Sequence, residues 1–293
     1  MDPLRRRIRL ADGRDLDAIV GGADSDQGFL MVNGTPAGVM ARASDLSIVA
    51  DHGLRYVTFG RPGYGDSTRL PDRSVAAMVR DVRELAGLLG LTRLHVVGWS
   101  GGGPHALASA ALLPDLVAGA ATIASVAPFD AIGLDWLAGM AQENREEFSA
   151  AVAGSTTLQA HLASLAAELA TTTGEDVAGW FGGLVADVDR AALTGDFAEF
   201  IAASCRDSVR NGIWGWLDDD LAFIRDWGFH LASIRVPVTI WHGSEDRMVP
   251  FAHGPWLVDH IPGARAHLLE GEGHLSLAVS SFDRIVADLV GND

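Results

Sequence analysis

What most constrains this chain is a rhythm of short apolar runs, each stopped by a turn rich in glycine or proline. The run at 28–32 ends in Asn33-Gly34-Thr35-Pro36, and the run at 54–59 ends in Gly60-Arg61-Pro62-Gly63-Tyr64-Gly65. A third, at 93–98, runs into Trp99-Ser100-Gly101-Gly102-Gly103, and further runs lie at 117–124, 236–241 and 266–269. Continuous apolar runs with helices between them suit strands buried on both faces, so the pattern predicts an α/β protein with a mostly parallel central sheet flanked by helices. Runs at 5–10 and 16–20 flank Ala11-Asp12-Gly13-Arg14 and predict a hairpin. Over 73–89, Val75, Met78, Val79, Val82, Leu85 and Leu89 make one helical stripe, with Asp72 or Ser74 as cap and Gly90 as stop. Phe282, Ile285, Val286 and Leu289 mark a closing helix.

Between 129 and 231 the strand signals vanish. The segment is rich in alanine, its helical stretches are broken by Gly and Thr, and it holds five of the eight tryptophans: Trp136, Trp180, Trp214, Trp216 and Trp227. It reads as a helical lid, residues 129–231, inserted after the sixth strand of a core made of 1–128 and 232–293. Its acidic run Asp218-Asp219-Asp220 reads as a solvated helix start.

The formal net charge is -16 with no basic stripe to offset it, which argues against nucleic acid or an anionic membrane surface as partner. Cys205 is the single cysteine, so an internal disulfide or a cysteine metal cluster is excluded, and the thiol reads as a buried helix residue. The basic start MDPLRRRIRL leads into polar sequence rather than an apolar signal region, and no stretch is long and apolar enough to span a bilayer. The expected location is the cytoplasm. The histidines show no metal-ligand spacing, so no metal is expected. The oligomeric state is not legible in the sequence.

Gly98-Trp99-Ser100-Gly101-Gly102 matches G-x-S-x-G, with a strand before it and a helix after it. Such a turn crowds its backbone, so small residues are needed two positions either side of the serine. In return the hydroxyl is exposed near the positive end of a helix. Neither a G-x-x-x-x-G-K loop nor G-x-G-x-x-G occurs here, which removes the phosphate-cradle reading. Asp246 and His274 each follow a later strand run, on the sheet edge where open α/β sheets bind ligands. Glu245 and Asp130 are rival positions for the acid. His242 reads as a loop support and His105 as a core or interface residue.

"RPGYGDS" (61–67), "GWSGGGPHALA" (98–108), "HGSEDRMVP" (242–250) and "GEGHLS" (271–276), in that order, resemble the α/β-hydrolase superfamily over nearly the whole chain outside the insertion. The resemblance implies Ser100 as nucleophile, His274 as general base and then acid, and Asp246 as the residue that orients the imidazole. It implies oxyanion donors at the Gly101 and Thr35 backbone N–H groups, although Asn33 stands where the family often has histidine. Trp99, Trp136, Trp180, Trp214 and Trp216 are candidates for the substrate pocket.

The implied activity is hydrolysis of a small or medium uncharged ester, lactone or related carbonyl substrate through an acyl-enzyme, with no cofactor. The same triad could serve an aminopeptidase resembling proline iminopeptidases, with Glu143, Glu146 and Glu147 as amine ligands, a hydrolase of carbon–carbon bonds, or an acyltransferase. Outside catalysis, the fold also serves ligand receptors. Aspartate-nucleophile epoxide hydrolases and dehalogenases are excluded by Ser100.

Overall fold

In the computed structural model, which describes residues 3–291, eight strands form one sheet. They are β1 (Leu4–Arg9), β2 (Asp15–Gly22), β3 (Gln27–Val32), β4 (Arg55–Phe59), β5 (Arg93–Trp99), β6 (Val117–Ile123), β7 (Val238–Gly243) and β8 (Arg265–Leu269). Their spatial order is β1-β2-β4-β3-β5-β6-β7-β8. β1 and β2 form the antiparallel hairpin, β2 joins β4 antiparallel, and every later pairing is parallel. Met1, Asp2, Asn292 and Asp293, at the two ends of the predicted core, lie outside the described residues.

Alternation along the strands splits the apolar side chains between two layers. Leu30, Val32, Val57, Phe59, Leu94 and Val96 pack on one face with the helices Met78–Leu88 and Gly103–Leu112. Phe29, Met31, Tyr56 and Val97 pack on the other with Ala43–Asp51 and Phe282–Val290. The chain leaves β3 for β4 on one side and returns to β5 on the other, so the strand order reverses between β3 and β5. The ends of these two strands therefore open a crevice at the C-terminal edge.

The segment between β6 and β7 is helical throughout its ordered elements: Gln142–Ala153, Ser155–Leu169, Val177–Trp180, Asp187–Ala192, Gly195–Val209 and Trp214–Phe223. Leu158, Leu162, Leu169, Ile201 and Leu217 form its own apolar cluster, which also takes in Tyr64 from the loop after β4 and Leu275 from the helix His274–Ser280 that follows β8. The insertion thus packs on the edge where β4, β5 and β8 deliver their loops.

Two local expectations need correction, and one helix was not expected at all. Residues 43–51 form a helix that the sequence does not announce, because only Leu46 and Val49 of its apolar stripe are buried. The helix over 73–89 opens with a short 3₁₀ turn at Val75–Ala77, and Ser74 makes no side-chain cap. Asp72 is in the left-handed region, with φ 56°. Asp218, Asp219 and Asp220 are not a solvated helix start: all three are buried within Trp214–Phe223, for reasons that belong to the site.

Candidate active site

Ser100 sits where β5 turns into the helix Gly103–Leu112, with φ 54°, a left-handed value that costs a serine energy and holds its side chain clear of the turn. Close packing explains the glycines. A Cβ on Gly98 would meet the Gly102 carbonyl oxygen at 2.3 Å, and one on Gly102 would meet the Val32 oxygen at 2.0 Å. The elbow is thus pressed against the end of β3. Thr35, from the loop after β3, lies beside Gly101, whose notional Cβ would fall 2.4 Å from the Thr35 Oγ1. The sheet thereby brings the two predicted oxyanion positions together.

The Nδ1–H of His274 donates to Asp246 Oδ2 at 2.8 Å, and both residues are buried. That bond places the ring proton on Nδ1 and leaves Nε2 to accept one. Asp246 is oriented in turn, since its Oδ1 accepts from the Met248 and Val249 N–H groups at 2.9 and 2.8 Å. Glu245 and Asp130, the rival acids, are exposed. Burial opposes a charged His274, but the Asp246 carboxylate outweighs it, and the His274 pKa is raised from its ordinary value. His242 lies beneath, its Nε2–H donating to the Val249 oxygen at 2.9 Å, and burial lowers its pKa.

A residue that sequence reasoning missed holds His274 from behind. Asp189, on the inserted helix Asp187–Ala192, is fully buried and accepts from the N–H groups of His274, Leu275 and Ser276 at 3.1, 2.8 and 2.9 Å. It caps the helix His274–Ser280 with a carboxylate contributed by a different part of the chain. Asp189→Ala leaves these donors without a partner in the interior. It should cost roughly 2 kcal/mol of stability and, by loosening the imidazole, lower turnover by about a hundredfold. Denaturant unfolding together with steady-state kinetics checks both effects, and a variant with native turnover would show that the cap does not position His274.

The acidic run has a similar purpose at the other side of the site. Asp219 Oδ2 accepts from Thr35 Oγ1 at 2.8 Å, Tyr64 Oη at 3.0 Å and Arg61 at 2.6 Å, and Arg73 contacts Oδ1 at 2.6 Å. Arg61 also donates to the carbonyls of Asn33 and Gly34 and, at 2.9 Å, to Thr35 Oγ1. The loop that carries Thr35, the second predicted oxyanion position, is therefore clamped by a buried ionic cluster. Burial opposes ionisation of Asp219, yet Arg61 and Arg73 hold its carboxyl well below the usual range. His105 is buried in the same cluster, 3.4 Å from Asp219, and burial lowers its pKa to about 4, so it is neutral. Asn33 uses its side-chain amide to donate to Gly38, Met40 and Thr58 at 3.2–3.4 Å, which orders the loop after β3.

Two cavities meet at Ser100. The larger, about 90 Å³, is walled by Trp99, Trp180, Phe181, Phe200 and Ile201 and is bordered by His274. Cys205 also lines it, with burial pushing its thiol up to about 12. The smaller, about 40 Å³, lies on the Gly101 side and is bordered by Asn144, Glu147, Phe148 and Asp220. Of the candidate pocket tryptophans, Trp99 and Trp180 border the larger cavity. The other three are corrected. Trp136 is core, packed against Phe129, Phe148 and His253. Trp214 lies under the Arg69 guanidinium, 4.3 Å from ring centroid to Cζ. Trp216 is buried and donates through Nε1 to Glu147 at 2.9 Å.

Among the described residues no group of His, Cys, Asp and Glu is arranged to hold a metal ion. None of the described helices is long and apolar enough to cross a membrane.

A profile described as the alpha/beta hydrolase fold matches residues 29–280. The serine hydrolase BPHL of Mus musculus is 37% identical over 62 residues, a stretch that spans 20% of this chain and 21% of that protein. A hydrolase from Pseudomonas aeruginosa PA01 superposes with a TM-score of 0.71 at 20% identity, covering 98% of both chains. The enol-lactonase from Burkholderia xenovorans LB400 superposes with a TM-score of 0.65 at 19% identity, over 98% of this chain and all of that one. Structural likeness at this level of identity speaks to the fold.

Proposed function

The chain belongs to the alpha/beta hydrolase fold family, and on that premise we propose that it is a serine hydrolase acting on a small or medium ester, lactone or related carbonyl substrate. The observation that carries this reading is the Asp246–His274 hydrogen bond, set beside a serine held at positive φ on the border of the same cavity. The esterase from Exiguobacterium antarcticum, with a TM-score of 0.63 at 20% identity, and the enol-lactonase above carry such activities on this fold.

In the proposed cycle Ser100 Oγ gives its proton to His274 Nε2 and bonds to the carbonyl carbon. The carbonyl oxygen becomes an oxyanion held by the Gly101 and Thr35 N–H groups. Collapse breaks the bond to the leaving oxygen, which takes the proton from Nε2. Water then gives a proton to Nε2, attacks the acyl carbon and displaces Ser100 Oγ, which recovers that proton. Asp246 stays ionised and steadies the imidazolium. The inserted helices act as a lid that excludes water over the site and supplies most of the apolar wall. No cofactor takes part in these steps.

A fluorophosphonate probe should label Ser100, and a panel of esters and lactones should be cleaved in the presence of chelator. Absence of both labelling and cleavage would favour a receptor that has kept the fold. The pH profile gives an independent check. The base must be neutral to accept the serine proton, so kcat/KM should fall as pH drops through the His274 pKa. Because Asp246 raises that value, the acid limb should lie above the ordinary imidazole value of about 6.5. Asp246→Asn should move the limb down and lower the plateau. A limb at or below the ordinary value in the wild type would contradict the pairing.

A further inference from the structure

The smaller cavity is built for something the apolar wall of the larger one cannot hold. Asp220 is 1% exposed, borders this cavity, and among the described residues meets no N–H, hydroxyl or guanidinium donor at either oxygen, its one hydrogen-bonding contact being with the Glu147 carboxyl. The Glu147 carboxyl, which also borders the cavity, accepts from Trp216 Nε1–H at 2.9 Å. A buried carboxyl pair with acceptor oxygens left over is costly, and here it stands beside the nucleophile and the Gly101 oxyanion position.

Which part of a substrate lies there follows from the proton path. His274 borders the larger cavity and not the smaller, and the leaving oxygen must meet the His274 proton. The leaving group therefore lies in the apolar cavity, and the acyl chain lies in the smaller one. At roughly 10–15 Å³ for each water-sized group, about 40 Å³ takes about three or four non-hydrogen atoms beyond the carbonyl.

Charge decides what kind of donor fits. Arg61 and Arg73 pair with Asp219, Arg73 also acts on Asp220, and Asp220 in turn contacts Glu147, while Tyr64 and His105 complete the cluster as neutral groups. Burial, and for Asp220 the Glu147 charge as well, raises both outer carboxyls, Glu147 to about 7 and Asp220 well above its ordinary value. Two carboxyls in contact favour holding one proton between them, which leaves a single negative charge on the pair to set, with Asp219, against the two guanidiniums. A neutral hydroxyl then donates to Asp220 without moving a proton, whereas an ammonium would first have to expel one.

Resting on the serine-hydrolase reading, we propose that the Glu147–Asp220 cavity is an acyl subsite selecting short acyl groups that carry a hydroxyl donor. The test compares three esters of one aromatic alcohol whose acyl groups are close in size: 3-hydroxybutanoyl, 3-methylbutanoyl and 3-aminobutanoyl. Wild-type kcat/KM at pH 7 should favour the hydroxy ester over the methyl ester by roughly ten- to a hundredfold, the worth of one hydrogen bond to a carboxylate. In Asp220→Leu that ratio should fall to near one or below, and in Glu147→Gln it should shrink. The wild-type ranking stands by itself should the Asp220 variant fail to fold. Cleavage of all three esters at similar rates, or a preference for the amino ester, would overturn the subsite while leaving the serine hydrolase standing. Cleavage of none, with Ser100 unlabelled by fluorophosphonate, would overturn both.

Discussion

Ser100→Ala should lower turnover of any substrate by about a million-fold, the loss typical of removing a triad nucleophile, while the unfolding midpoint barely moves. The two halves of this expectation have separate causes. Only the hydroxyl can form the acyl-enzyme, so its loss leaves residual catalysis by the oxyanion donors and binding alone. Alanine, however, meets the same positive φ with a slightly smaller side chain, so neither packing nor strain changes much. Stopped-assay kinetics, mass spectrometry after fluorophosphonate treatment and thermal unfolding measure the pair. Undiminished turnover in the variant would remove Ser100 from the mechanism.

The second large effect is expected at Asp219, which no substrate need touch. Asp219→Asn removes the charge that Arg61 and Arg73 share and leaves two guanidiniums in the interior without a full counter-charge. Breaking a buried pair from one side costs about 3–5 kcal/mol, which at this chain length lowers the melting temperature by on the order of ten degrees. The Asp219 pKa is depressed in the folded state, so its contribution is fully present above the ordinary aspartate range. It is lost only as pH falls through the depressed value, and the variant should therefore be compared at neutral pH. Because Asp219 also holds Thr35, turnover of the surviving folded fraction should fall by about a hundredfold, the cost of one misplaced oxyanion donor. Native stability in Asp219→Asn would mean that the cluster adds nothing to the fold.

These two residues mark the boundary of what the sequence made legible. Ser100 announces itself because its constraint is local: the backbone contacts between Gly98, Gly102 and the end of β3 force small residues at fixed spacing. Asp246 and His274 are readable for a related reason, since each must lie just beyond a strand end, and strand ends are marked by turn residues. Asp219 is different. Its partner Arg61 is 158 positions away, and nothing near Asp218-Asp219-Asp220 distinguishes a buried counter-ion from a solvated face. Asp189 hides in the same way, 85 positions from the His274 N–H that it caps. The tryptophans of the insertion were ambiguous because an aromatic residue on a helix can fill that helix's own core or line a cavity equally well. Trp136 and Trp216 turned inward, and Trp180 did not.

The two long-range aspartates also bear on how such a protein can be re-engineered. Catalytic cores of this architecture invite transplantation, with one set of covering helices exchanged for another to change selectivity. Here Asp189 and Asp219 both come from the covering helices, yet one holds the His274 helix and the other the Thr35 loop. A chimera that discards residues 129–231 would leave its core with a loosened His274 helix and a loosened Thr35 loop, whatever pocket the new helices formed. An exchangeable cover for this core has to bring an aspartate to each of those places, or the core has to be redesigned to do without them.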